Sequence, residues 1–326
     1  MSVSLPIRPR RNRLNHSIRS LCQENHVSVD DLIMPLFIID GEQQKTEVTS
    51  MPGIYRYSID LLLEECQELV ELGIKGIAIF PALDESIKDK EATESTNANG
   101  LFQRAIRAIK ETTPSLLVIT DVAMDPYSSD GHDGYVENAQ ILNDRTLPIL
   151  AAMAVSQAEA GADIIAPSDM MDGRIGYIRQ ALDDAGYTNT AIMAYTAKYA
   201  SAFYGPFRDA LDSAPKEGDK MTYQLNPANT REALLEMELD IAEGADVIMV
   251  KPGLPYLDIV RQLADNPTVP VAAYNVSGEY CMLKAAAEKG WLDYEKVVME
   301  TLLSFKRAGA NMILTYHAKE VAQWLS

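Results

Sequence analysis

The sequence predicts an α/β fold, a (β/α)8 TIM barrel with an extended N-terminal arm, and three observations point to it. First, four segments repeat one grammar: a helical run, a glycine stop, then a stretch of apolar residues. They are Glu71-Leu72-Gly73-Ile74-Lys75-Gly76-Ile77-Ala78-Ile79, Ala160-Gly161-Ala162-Asp163-Ile164-Ile165-Ala166, Glu243-Gly244-Ala245-Asp246-Val247-Ile248-Met249 and Ala308-Gly309-Ala310-Asn311-Met312-Ile313-Leu314. Glycine supplies the left-handed turn that ends a helix, and a continuous apolar run suits a strand covered on both faces. Second, filling the intervals gives eight such runs alternating with helical stretches, the pattern of a closed parallel barrel more than of an open sheet. Third, no GxGxxG or Walker sequence favours a nucleotide-binding alternative. A chain of 326 residues fits one such unit with a large core.

In order along the chain, residues 1–30 read as an oligomerisation arm and 31–326 as the catalytic barrel. The first 23 residues contain no acid and carry Arg8, Arg10, Arg11, Arg13 and Arg19, with Pro6 and Pro9 favouring an extended segment. On so acidic a chain, another subunit is the natural place for such an arm to dock; a disordered or targeting tail has the same composition. The candidate strands are 32–38, 76–80, 116–120, 164–167, 192–195, 247–250, 271–274 and 312–315. Helical stretches at 61–72, 101–111, 231–243 and 256–264 alternate with them.

Charge narrows the partners. Lys plus Arg at 29 against Asp plus Glu at 47 leaves −18, which argues against nucleic acid or an anionic membrane as a partner. No apolar run approaches the roughly 20 residues of a membrane span, and no secretory h-region follows the start, so a cytoplasmic location is expected. Cys22, Cys66 and Cys281 are too scattered for a disulfide framework or a structural zinc.

In a barrel of this kind the chemistry lies where the strands end. Those positions hold Asp121, Asp125, Asp130, His132 and Asp133 after the third strand, and Ser168, Asp169 and Asp172 after the fourth. Lys198 follows the fifth and Lys251 the sixth, with Asn275 and Ser277 after the seventh and Tyr316 and His317 after the eighth. Val247-Ile248-Met249-Val250 runs straight into Lys251 and is stopped by Pro252 and Gly253. A lysine there either extends its head into water, the commoner arrangement, or titrates as a neutral amine, a nucleophile toward carbonyls. Lys198 holds the matching position on the neighbouring strand, about 5 Å away in backbone. Two ammoniums so close depress each other's pKa, which leaves at least one free amine near neutral pH.

The connection 199–226 is long and combines aromatics, hinge residues and cations, which favours a lid. Arg208 and Lys220 then bring positive charge to a substrate carboxylate, although solvated loop cations are also common. Residues 121–134 pack four carboxylates and an imidazole into one loop, hard ligands that suit magnesium better than zinc, or an ordinary solvated turn. Glu236, beside Glu232 and Glu238, reads as part of a solvated helix face.

The stretches DVAMDPYSSDGHDG, APSDMMDGR, AYTAKYASAFYGPFRDA, VIMVKPGLPYLDI and AYNVSGEY together resemble the 5-aminolevulinate dehydratase (porphobilinogen synthase) family, over about residues 6 to 325. The resemblance implies that two molecules of 5-aminolevulinate condense to porphobilinogen with loss of two waters, a step of tetrapyrrole biosynthesis. Lys251 matches the family lysine that forms a Schiff base with the first substrate, and Lys198 the lysine that engages the second. Arg208 and Lys220 fall where the second molecule's carboxylate is bound, Ser277 and Tyr316 where the first molecule's is held. Zinc-dependent members carry cysteines where this chain has Ala123, Asp125 and Asp133, so it resembles the magnesium-responsive, aspartate-rich subgroup, with no zinc and no organic cofactor expected. Asp125 and Asp133 are then candidates for an active-site Mg2+, and Glu236 matches a position linked to an allosteric Mg2+ between subunits. The arm matches one that embraces a neighbour in a homo-octamer. Two other readings share part of this pattern: a Schiff-base class I aldolase, which wants a phosphate-binding loop after strands seven and eight, and a non-catalytic regulatory relative.

Overall fold

The computed structural model describes residues 5–211, 215–265 and 268–326. The eight apolar runs become parallel strands β1 (Leu32–Ile38), β2 (Gly76–Pro81), β3 (Leu117–Val122), β4 (Ile164–Pro167), β5 (Ala191–Lys198), β6 (Val247–Lys251), β7 (Val271–Asn275) and β8 (Met312–Thr315). Neighbours in sequence are neighbours in the sheet, and β8 closes on β1 through Leu32↔Ile313 and Ile33↔Leu314. β1, β6 and β7 are buried along their whole length, because one face packs inside the barrel and the other under helices.

Those helices are α1 (Ile59–Glu71), α2 (Leu101–Thr112), α3 (Asn143–Ala160), α4 (Arg174–Asp184), α5 (Arg231–Ala242), α6 (Leu257–Ala264), α7 (Ser277–Glu288), α8 (Tyr294–Ala308) and α9 (Ala318–Leu325). In α2, Leu101, Phe102, Ala105, Ile106 and Ile109 are buried while Arg104 faces out, the spacing of an amphipathic helix. The glycine grammar has its expected cause: Gly73, Gly161, Gly244 and Gly309 all have φ between 87° and 111°, where a side chain would be strained. Among the described residues no helix is long and apolar enough to cross a membrane.

Three differences from the sequence reading matter. β3, β5, β6 and β7 run further than expected, so Asp121 lies within a strand and Lys198, Lys251 and Asn275 are the last residues of theirs; hydropathy falls before the pairing does. A hairpin of Lys45–Glu47 and Tyr55–Tyr57 adds to β1 through Phe37↔Arg56, too short to show as a period in the sequence. The arm, whose residues 1–4 lie outside the described residues, forms a 3-10 turn (Pro9–Arg13) and a short helix (His16–Leu21) with no buried residue.

Candidate active site

β5 and β6 deliver the two lysines in register, Lys251↔Lys198, and each is only 6% exposed. Their surroundings differ. Lys251 Nζ lies among four rings, 4.7 Å from the centroid of Tyr274, 4.9 Å from Tyr195, 5.0 Å from Phe207 and 5.4 Å from Tyr204. Burial first, then the charge of Lys198, brings its pKa down from 10.5 to about 7, so a large fraction is a free amine near neutrality. Lys198 Nζ instead donates to Asp133 Oδ2 at 3.1 Å and to the carbonyl of Ser168. One lysine is boxed by π-faces, the other fixed by a carboxylate.

Asp133 is the hub of a second group. Lys220 Nζ donates to its Oδ1 at 2.6 Å and to Asp125 Oδ2 at 3.2 Å. Burial works to raise the Asp133 pKa, yet Lys198 and Lys220 together hold it below the usual carboxylate range. Asp125 goes the other way, raised by burial more than Lys220 lowers it. Asp121, on β3, is lifted by burial and by Asp125 to about 6 against the pull of Lys251 and Lys198; it can exchange a proton near neutral pH. His132 stood among the reactive strand-end residues, but its two ring nitrogens are taken by Tyr223 Oη and the Glu217 carbonyl, which ties the 217–223 segment to the aspartate loop.

The connection after β5 is folded over the barrel mouth; its residues 212–214 lie outside the described residues. Its helix (Gly205–Leu211) brings Phe207 against Phe37 and Phe80, while Tyr204 Oη donates to the Lys251 carbonyl at 3.0 Å. Arg56, from the hairpin after β1, grips the far end of that helix through the carbonyls of Ala210 and Asp209 at 2.6 and 2.5 Å. Ser277 Oγ, at the start of α7, accepts the Phe207 N–H at 3.0 Å. Tyr316 Oη meets Tyr274 Oη at 3.1 Å, joining the Lys251 box to the end of β8. Arg208 is half-buried on the lid helix and makes no ion pair among the described residues.

Residues 6–324 match the family of Delta-aminolevulinic acid dehydratase. The chain is 54% identical to the delta-aminolevulinic acid dehydratase of Bradyrhizobium diazoefficiens, covering 99% of this chain and 92% of that protein. It is likewise 54% identical to that of Synechococcus elongatus, covering 98% of each. The crystal structure of the Toxoplasma gondii enzyme in complex with the reaction product porphobilinogen superposes with a TM-score of 0.97, at 52% identity over 98% of this chain and 92% of that one. The chain belongs to the delta-aminolevulinic acid dehydratase family.

Within this dehydratase frame the oxygens of Asp125 and Asp133, expected as Mg2+ ligands, are engaged by lysines. Lys220 Nζ stands between the two carboxylates where a cation would sit, and Lys198 holds the remaining oxygen of Asp133. Among the described residues no group of three or more His, Cys, Asp or Glu side chains is placed to hold a metal. The pair as arranged does not fit a resident ion. Lys220, expected at a substrate carboxylate, pairs here with these two acids. Glu236 lies elsewhere, on α5, lining a cavity of about 1110 Å³ with Asp172 that includes neither Lys198 nor Lys251. Burial raises its carboxyl to about 7 against Arg174, 4.0 Å away. Asp121 was expected only as one of several strand-end acids, and the aromatic box was not expected, although Tyr195, Tyr204, Phe207 and Tyr274 all lie in or beside the expected strands and lid.

Proposed function

We infer that this chain is a lyase, a porphobilinogen synthase, which condenses two molecules of 5-aminolevulinate with loss of two waters. The observation that carries the chemistry is the register pair Lys251↔Lys198 with Lys251 boxed by aromatics and titrating near 7. The neutral Lys251 amine attacks the ketone of the first substrate; loss of water gives an imine whose protonated form withdraws electrons from the adjacent carbon. Lys198 forms the second imine, with the other molecule's ketone, and releases the second water. The C–C bond forms as the carbon beside one imine attacks the other imine carbon and the lysine nitrogen there is expelled; the C–N bond forms as the substrate amino group displaces the remaining lysine nitrogen, and loss of ring protons gives the product without a redox cofactor. The closed lid keeps bulk water from the imines.

Ser277 and Tyr316 hold the first substrate's carboxylate, and Arg208 holds the second's. Lys220 joins Arg208 by exchanging Asp125 for the incoming carboxylate, while Asp125, already raised by burial, takes up a proton. Glu236 and Asp172, hard oxygen donors on one cavity, would hold Mg2+, which would serve packing and regulation there rather than a reaction step. The arm and the exposed Leu235 and Leu239 of α5 support a homo-oligomer, read as an octamer. Unpaired cysteines, with Cys22 exposed, suit a reducing compartment and support a cytoplasmic location.

The aldolase reading has no support at the barrel mouth. Gly278 after β7 is spent on lid packing, where an added Cβ would come within 2.6 Å of the Phe203 carbonyl, leaving no open loop for a phosphate. Borohydride trapping with 5-aminolevulinate followed by peptide mapping is expected to label Lys251; absence of label there removes the mechanism. Chelation followed by Mg2+ or Zn2+ tests the metal: rescue by Zn2+ alone would contradict this assignment.

A further inference from the structure

Glu279 is a fully buried acid near Lys251 that the mechanism above does not use. It is the third residue of α7, and its side chain reaches out of the helix to the segment that follows Lys251. Glu279 Oε1 accepts the N–H groups of Gly253 at 3.1 Å and Leu254 at 3.3 Å. Oε2 accepts from Asn275 Nδ2 at 2.5 Å, and Asn275 Oδ1 in turn accepts from Thr315 Oγ1 at 2.9 Å. Thr315 Oγ1 also accepts the N–H of His317 at 3.2 Å. One carboxylate thus ties the exit of β6 to the last residues of β7 and β8.

The sequence explains why this tie has to exist. Lys251 ends its strand, and the next residue, Pro252, has no N–H to give a neighbouring strand. The Lys251 carbonyl is held from the other side by the Tyr199 N–H at 2.9 Å and Tyr204 Oη at 3.0 Å. Beyond the proline, the first donors able to fix the direction of the chain are those of Gly253 and Leu254. Gly253 N–H is shared with the Tyr274 carbonyl at 2.8 Å. An added Cβ at Gly253 would come within 2.4 Å of Phe305, so the backbone runs close against that ring and only glycine fits there.

We propose that Glu279 is the positioning residue for Lys251: by holding the Gly253 and Leu254 amides it fixes the end of β6 and keeps the Lys251 amine aimed into its aromatic box. The proposal rests on the reading of Lys251 as the imine-forming lysine. Burial lifts the Glu279 carboxyl to about 8 against the hydrogen bonds it accepts, which limits how much its charge contributes; what the geometry demands is reach. Charge and reach can be separated by substitution. Glu279→Gln keeps the length and an oxygen for both amides while losing the charge, with the Asn275 amide turning over to offer its oxygen to the new NH2. Glu279→Asp keeps the charge and shortens the arm by one C–C bond, ~1.5 Å. Glu279→Ala removes both.

The test compares wild type, E279Q, E279D and E279A as full chains, by steady-state kinetics and by timed borohydride trapping with 5-aminolevulinate, mapped to the peptides of Lys251 and Lys198. E279Q is expected within about threefold of wild-type kcat, and E279D and E279A about 10- to 100-fold below it with KM little changed, since misplacing a reacting group by an ångström costs this much. Label at Lys251 falls in E279D and E279A relative to label at Lys198. Should E279A fail to fold, the comparison of E279D with E279Q still decides. The proposal is overturned if E279D keeps wild-type kcat while E279Q loses it, if all variants trap at Lys251 as fast as wild type, or if both lysines lose label together. Absence of Lys251 label in wild type overturns the assigned mechanism, and this proposal with it.

Discussion

Lys251 and Lys198 occupy equivalent places on neighbouring strands, yet their surroundings give them different chemistry. The amine of Lys251 is neutral above about pH 7 because an ammonium among four rings lacks the solvation it has in water. The pH profile of kcat/KM, which reports free-enzyme groups, is therefore expected to fall on its acid side through about 7. Stability follows the same group with a definite sign. Between about 7 and 10.5 the unfolded chain binds a proton at this lysine and the folded chain does not, so this term stabilises the fold as pH rises across that window and penalises it fully below. Replacing Lys251 by Met is expected to raise the denaturation midpoint more at pH 6 than at pH 10, read by urea unfolding. Lys220 gives the opposite lesson. Lys220→Met strands two buried carboxylates, with only Lys198 left to compensate, and is expected to cost about 3 kcal/mol in denaturant unfolding. That cost shrinks as pH falls and the acids take up protons.

Among elements, the lid carries the clearest consequence. Its helix (Gly205–Leu211) is held at one end by Ser277 Oγ and at the other by Arg56, a residue from a hairpin that the sequence reading did not place at all. Arg56→Ala removes two charge-assisted hydrogen bonds at a half-exposed position, a loss of about 1–2 kcal/mol, and is expected to lower kcat/KM about 5- to 30-fold. Faster proteolysis within the lid, with an unchanged unfolding midpoint, would place that loss in closure rather than in folding. The lid's aromatic content was legible as a cover for the site; its latch was not, because the residues in contact are about 150 positions apart in the chain. Lys220 illustrates the same limit, since Asp133 lies 87 residues away and a loop cation carries no mark of the acids it will meet. Glu279 was hidden differently: an acid in the first turn of a helix is ordinary, and only the fold shows that it leaves the helix. The barrel strands, by contrast, were readable to within a few residues, because burial on both faces and a left-handed glycine before each of four strands are local signals.

For the molecule as a whole, the arm is the part the barrel does not explain. No residue of 5–28 is fully buried, and Leu5, Ile7, Leu14 and Leu21 are exposed along it, surfaces a lone protomer gains nothing by displaying. Deleting residues 1–22 is expected to lower the assembly mass in sedimentation while leaving the barrel's circular dichroism intact; unchanged mass would return the arm to the status of a tail. The closure of β8 on β1 has a further consequence for how the protein comes into being. During synthesis, the opening strand leaves the ribosome with the Leu32–Ile33 end of one edge bare, and its mate, Met312–Thr315, is made only after the other six strands. Until then the nascent sheet has two raw margins able to pair with a stranger, so a stall or nonsense codon shortly before residue 312 is a hazard to the cell's solubility as well as a lost enzyme.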